Sequence, residues 1–294
     1  LPVTFDSAQV LPVSMPRWLK APARLALARA PTHTRPRAQP PLLLPRAGGA
    51  TPRSLGARPR SWVRTHVVSP CYTAGMAGLC DLHRHLDGSL RPQTIRELAR
   101  PLGQTVPEDL LFRPGMGLAD ALSRFGFTLS LLRTPAAVER VAREICEDAA
   151  ADGVSALEIR FGPQLHVDEP GRASGITWAQ ILDAALAGIA GRAGVILCGI
   201  YGEEPDVLEE LIDLAAQRPG VVGIDLAGGP APEHRARLAD YGGAFARAAA
   251  LGIGRTVHAG EGRPPSEIRE AVEILGAQRI GHGTTLLEDP QVTA

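Results

Sequence analysis

From Leu79 onward the chain alternates short apolar runs with longer stretches in which apolar residues return every three or four positions. Continuous apolar runs suit strands covered on both faces, and three-to-four spacing suits a helix with one face against a core. The pattern predicts strands at Leu79–His83, Ala156–Phe161, Val195–Tyr201, Val221–Leu226, Arg255–His258 and Arg279–Gly281. It predicts helices at Leu118–Leu132, Ala136–Ala151, Trp178–Arg192, Asp206–Gln217, Arg235–Leu251 and Pro265–Leu275. Such alternation builds a parallel sheet with helices packed outside it. An open doubly wound sheet would gather its polar residues at one switch point, whereas a (β/α)8 barrel spreads them over the carboxyl ends of several strands. Here they are spread: His83-Arg84-His85 ends the first strand, His258-Ala259-Gly260-Glu261 the fifth and His282 the sixth. The expected fold class is therefore α/β, a TIM-type barrel.

Residues 1–75 show neither periodicity. They hold twelve of the 26 prolines and eleven basic residues against the single acid Asp6. This composition predicts a Pro/Arg-rich leader that is disordered or non-native, with Met76, just ahead of the first strand, as the suspected true start. The zero formal charge of the 294 residues is thus a cancellation, because the part from Met76 onward carries 30 acids against 20 arginines. An acidic body without basic clusters excludes nucleic acid as the principal partner and favours a small molecule. The four cysteines lie far apart with no C-x-x-C, which suits a reducing cytoplasm and excludes a thiolate zinc site. No apolar run is long enough for a membrane span.

Histidine is scarce, eight in all, yet His83, His85, His258 and His282 all fall at strand ends. Residues two apart in a strand face the same way, so His83 and His85 can direct both imidazoles at one metal. With His258 they form a three-imidazole set that suits zinc, leaving a position open for water whose pKa falls towards about 7. Glu261, three residues after His258, can reach the same cavity and exchange protons with a substrate.

Five segments, "DLHRHLDGSLRPQTIREL", "ALEIRFGPQLH", "VVGIDLAGG", "GIGRTVHAGE" and "EILGAQRIGHG", resemble in order and spacing the motifs of the adenosine deaminase family, between about Leu79 and Pro290. The resemblance implies hydrolysis of the 6-amino group of a purine nucleoside, adenosine or 2′-deoxyadenosine, to a 6-oxo purine and ammonia. It implies zinc on His83, His85 and His258, with Glu261 protonating ring N1 and His282 orienting the hydroxide. His85, Asp87 and Gly228 would face the substrate, Asp87 at a ribose hydroxyl and the Gly228 N–H at purine N3. Two departures stand out. Gly229 replaces an acid that commonly follows the glycine, which puts the loop's rigidity or a substrate contact in question. The family's fourth ligand, an Asp from a later S-x-N-x-D-D-type segment, has no counterpart before Ala294, so about six of eight β-α units are expected.

The alternatives are a related zinc hydrolase acting on adenine or a modified adenosine, and a truncated, non-catalytic fragment that binds a purine or another subunit. Other residues invite plainer expectations: His166 as a surface loop histidine or a pocket border, and Phe125 and Phe127 as ordinary helix packing or a purine cap. Asp225 either hydrogen-bonds in the barrel mouth or satisfies buried backbone groups.

Overall fold

A computed structural model describes residues 78–113, 116, 118–167 and 175–293; the predicted leader, 1–75, lies outside them. Six strands, β1 Leu79–His85, β2 Val154–Phe161, β3 Gly194–Ile200, β4 Val221–Ala227, β5 Gly254–Ala259 and β6 Arg279–His282, form one parallel sheet in chain order. Helices α1 Pro92–Ala99, α2 Leu118–Leu131, α3 Pro135–Ala151, α4 Trp178–Ile189, α5 Pro205–Ala216, α6 Gly242–Ala250, α7 Ser266–Glu273 and α8 Pro290–Thr293 complete the elements. The sheet curls until its first and last strands face each other. Arg279 on β6 pairs with Glu158 on β2, and a Cβ at Gly281 would stand 2.7 Å from the His83 ring. The result is a nearly closed barrel, as the strand-end pattern predicts.

Local chemistry explains the elements. In β3 the residues Val195–Cys198 are buried on both faces, so the strand reads as a continuous apolar run. Helix α3 starts at Thr134, whose hydroxyl accepts from the Ala137 N–H, and α4 starts at a full capping box between Thr177 and Gln180. The apolar stripe of α3, with Val138, Val141 and Ile145, packs with Ile181 and Leu182 of α4 into the main core. No helix of the described residues is long and apolar enough to cross a membrane.

Three of the departures from the predicted elements bear on how the site is built. Strand β1 runs on to His85, so both histidines of the H-x-H lie within it. Helix α1 goes unpredicted because only Thr94, Ile95 and Ala99 are buried on its two turns. Helix α6 begins at Gly242 and not Arg235, because Asp240 bonds back onto the Arg237 N–H at 2.7 Å and winds Leu238–Tyr241 into a 3-10 turn. That turn buries Tyr241, whose hydroxyl accepts from the Gly202 N–H and donates to the Glu203 carbonyl.

Candidate active site

The strand ends converge on a cavity of about 510 Å³ whose lining includes His83, His85, Asp87, His258, Glu261 and His282. Every site residue expected from the sequence, Gly228 included, borders it.

Strand β1 contributes His83 and His85, and β5 contributes His258. Their three Nε2 atoms stand 3.1, 3.1 and 3.2 Å apart. Three imidazole nitrogens bound to one tetrahedral zinc at about 2.0–2.1 Å would lie roughly 3.3–3.4 Å from one another, so the triangle fits such an ion. Its charge state fits too. Burial, helped by Arg160 and the neighbouring imidazoles, lowers His83 to about 3, and burial with His258 and His83 holds His85 well below the ordinary value. Both are neutral at pH 7, with lone pairs available.

Behind His258 lies a buried charged network. Asp225 on β4 places Oδ2 2.8 Å from His258 Nδ1, a close but bent contact, and 2.9 Å from Arg160 Nη1. Arg160, on β2, also donates to the Leu82 carbonyl beside His83 at 2.7 Å. Burial alone would push the Asp225 carboxyl up, but His258 and Arg160 together hold it below the usual carboxylate range. An ionised Asp225 favours the His258 tautomer with its proton on Nδ1, which leaves Nε2 free for a metal. Asp225 thus takes the side-chain role in the barrel and not that of satisfying buried backbone. Sequence reasoning missed Arg160; the signal was an arginine inside the apolar strand "ALEIRF", where a buried charge requires a partner.

Glu261 follows β5 and is half-buried, and burial raises its carboxyl pKa despite His258 and Arg263 nearby. His282 ends β6 with φ +69°, a left-handed conformation unusual for a side chain other than glycine. This turn brings its ring 4.6 Å from that of His83 and its Nε2 3.5 Å from Glu261 Oε1. Burial, then His258, lowers His282 to about 4. Gly228 sits at φ +78° just after β4, where a side chain would be strained. Asp87 is buried with Oδ1 unpartnered, and burial pushes its carboxyl up to about 6.

Some residues lie where the sequence did not put them. His166 is fully buried, neither on the surface nor at the cavity, with Nδ1 3.1 Å from the Leu132 carbonyl and its ring against Phe161. Phe125 and Phe127 separate. Phe125 lines the cavity with its ring 6.0 Å from His85, whereas Phe127 packs beside Ile95 and Leu131. Tyr201 and His234 also face the cavity, stacked 5.8 Å apart, and no sequence pattern marks either.

Comparisons with known proteins agree with this geometry. The family model for adenosine deaminase matches residues 78–294. An adenosine deaminase of Shewanella halifaxensis is 37% identical over 221 residues, 69% of this chain and 64% of the relative. One of Enterococcus faecalis is 34% identical over 231 residues, 73% of this chain and 66% of the relative. The chain therefore spans slightly under two thirds of the length of these relatives. Among solved structures, an adenine deaminase of Arthrobacter aurescens superposes with a TM-score of 0.63 at 26% identity, covering 73% of this chain and 67% of its own. An amidohydrolase of Burkholderia ambifaria with bound zinc gives 0.61 at 27%, covering 72% and 60%. An Arabidopsis protein, ADAL, complexed with IMP gives 0.60 at 26%, covering 69% and 64%. With its barrel, its histidine triangle and a match that runs from before β1 to the last residue, this chain belongs to the adenosine deaminase family.

Proposed function

We propose that the protein hydrolyses the 6-amino group of adenosine or 2′-deoxyadenosine to the 6-oxo purine and ammonia, with zinc as its metal. The observation that carries this reading is the triangle of His83, His85 and His258 nitrogens at 3.1–3.2 Å, opening on a cavity that Glu261 also lines. Zinc held there would lower the pKa of a bound water towards about 7 and so would supply hydroxide at neutral pH.

The chain's own residues do the rest. Glu261, whose proton affinity is raised by burial, delivers a proton to purine N1 as C6 becomes tetrahedral, and so neutralises charge developing on the ring. His282, neutral at pH 7 and beside Glu261, orients the nucleophile by hydrogen bonding. The Gly228 N–H holds purine N3, at a position where the left-handed backbone requires glycine. Asp87 accepts a hydrogen bond from a sugar hydroxyl. Adenosine deaminases among the sequence relatives, and the zinc and IMP bound to two structural neighbours, support the metal and the purine.

The test is ammonia release from adenosine and from adenine, each with zinc supplied. Leaving the buried Asp87 carboxylate unpaired costs about 1–3 kcal/mol, and the free base also lacks the binding energy of the sugar, so adenosine is preferred by at least about tenfold in kcat/KM. Asp87→Ala should lower the adenosine value far more than the adenine value. Equal losses would mean that Asp87 supports the turn after β1, and no ammonia from any purine would sink the deaminase reading.

A further inference from the structure

The loop after β4 forms an edge of the cavity through Gly228 and Gly229, yet neither glycine has a side chain to hold it in place. What holds it comes from behind. Arg263, which follows β5, donates from Nη2 to the Gly228 carbonyl at 3.0 Å and to the His258 carbonyl at 3.3 Å. Its Nε donates to Glu267 Oε2 at 2.6 Å, on the first turn of α7. Both side chains are largely buried, each 14% exposed. The guanidinium lies outside the cavity wall and touches only its back.

Gly229 fits this arrangement. A Cβ there would stand 2.4 Å from Arg263 Nη1 and 2.5 Å from Cζ, closer than atoms can approach. The guanidinium cannot step aside without giving up its three acceptors. The backbone of Gly229 is not left-handed, so what excludes a side chain is the arginine and not the loop's conformation. The departure at this position therefore has a physical partner: the space that a side chain on residue 229 would fill holds the head of residue 263.

We propose that Arg263 is a positioning residue for the substrate, holding the Gly228–Gly229 edge against the purine from outside the cavity, with Gly229 bare to admit it. The inference rests on the purine reading of the cavity. Arg263 makes no hydrogen bond to Glu261 or to the imidazole nitrogens that would hold zinc, and its charge only partly offsets the burial that raises Glu261, so its loss acts on binding more than on chemistry. A misplaced loop of this kind costs on the order of 10–100-fold.

The test is a double-mutant cycle in the zinc-supplied protein with Arg263→Ala, Gly229→Ala and both together. The readouts are adenosine kcat and KM, calorimetric affinity for inosine, zinc content and melting temperature. Arg263→Ala should raise the adenosine KM and the inosine Kd at least about tenfold, with kcat changed less and zinc content unchanged. Gly229→Ala should act in the same direction, because its methyl displaces the guanidinium. Combined, the two should cost little more than Arg263→Ala alone, since the methyl then meets no obstacle. Arg263→Lys should restore only part of the affinity, because one ammonium cannot span three acceptors. Independent, multiplying effects of the two substitutions, or Arg263→Ala with unchanged inosine affinity in a protein whose wild type binds it, would overturn the inference. A wild type that neither binds inosine nor releases ammonia from adenosine would overturn the purine reading and this inference with it.

Discussion

At the scale of single residues, burial shifts the imidazoles of the site and its Glu261 carboxyl in opposite directions. Burial acts on all of them, yet its consequence depends on the charge of the protonated form. The same loss of water that keeps His83 and His282 neutral favours a protonated Glu261, because burial always penalises the charged state. A neutral imidazole is a ligand or a hydrogen-bond partner, and a protonated carboxyl is a donor. Glu261→Gln keeps the shape and removes the transferable proton. It should lower kcat by about 10²–10⁴-fold and leave zinc content and inosine affinity intact. Single-turnover rates and metal analysis on the same preparations decide it, and loss of zinc would recast Glu261 as a ligand.

At the scale of elements, the end of β3 is braced by Glu203, three residues on, and by Gln164 from the segment after β2. Glu203 accepts from the Ile200 N–H at 2.8 Å and from Gln164 at 3.1 Å, and it lies in the turn that carries the cavity residue Tyr201. Burial, outweighing these hydrogen bonds, raises its carboxyl from 4.5 to about 7. Between those values the folded protein binds a proton that the unfolded chain has released. Its contribution to stability is therefore present at low pH and lost as pH rises through that window. Glu203→Gln cannot ionise. Relative to wild type it should gain on the order of 2–3 kcal/mol of unfolding free energy between pH 4.5 and 8. Urea titrations of both proteins across that range provide the measurement, and parallel curves would show that Glu203 does not titrate there. The network of Arg160, Asp225 and His258 also braces elements against one another, linking β2, β4 and β5 and, through the Leu82 carbonyl, β1.

At the scale of the whole molecule, the metal position joins distant parts of the sheet. His83 and His85 lie on β1 and His258 on β5, four strands away in the sheet order, and only the curl of the barrel brings them together. Zinc there would bind the folded barrel and not the dispersed histidines of the unfolded chain. At a free concentration 1,000 times its Kd this contributes about 4 kcal/mol. Chelation should therefore lower the melting temperature by several degrees, reversibly and in proportion to the logarithm of added zinc. A melting temperature indifferent to zinc would place the ion elsewhere. The sequence alone determined the six strands and the histidines that end them, because a buried parallel strand writes itself as an unbroken apolar run and the H-x-H spacing matches the two-residue period of a strand. It also marked Gly228 and Asp87, through the order of five motifs. Only the tertiary structure decided that Asp225 meets Arg160 and His258, that Phe125 faces the cavity while Phe127 packs into a helix interface, and that Arg263 fills the space above Gly229. The reason is one of distance along the chain. Asp225 is 65 residues from Arg160, and their contact depends on which strands become neighbours across the barrel and how far the sheet curls, neither of which leaves a periodic trace in the local sequence.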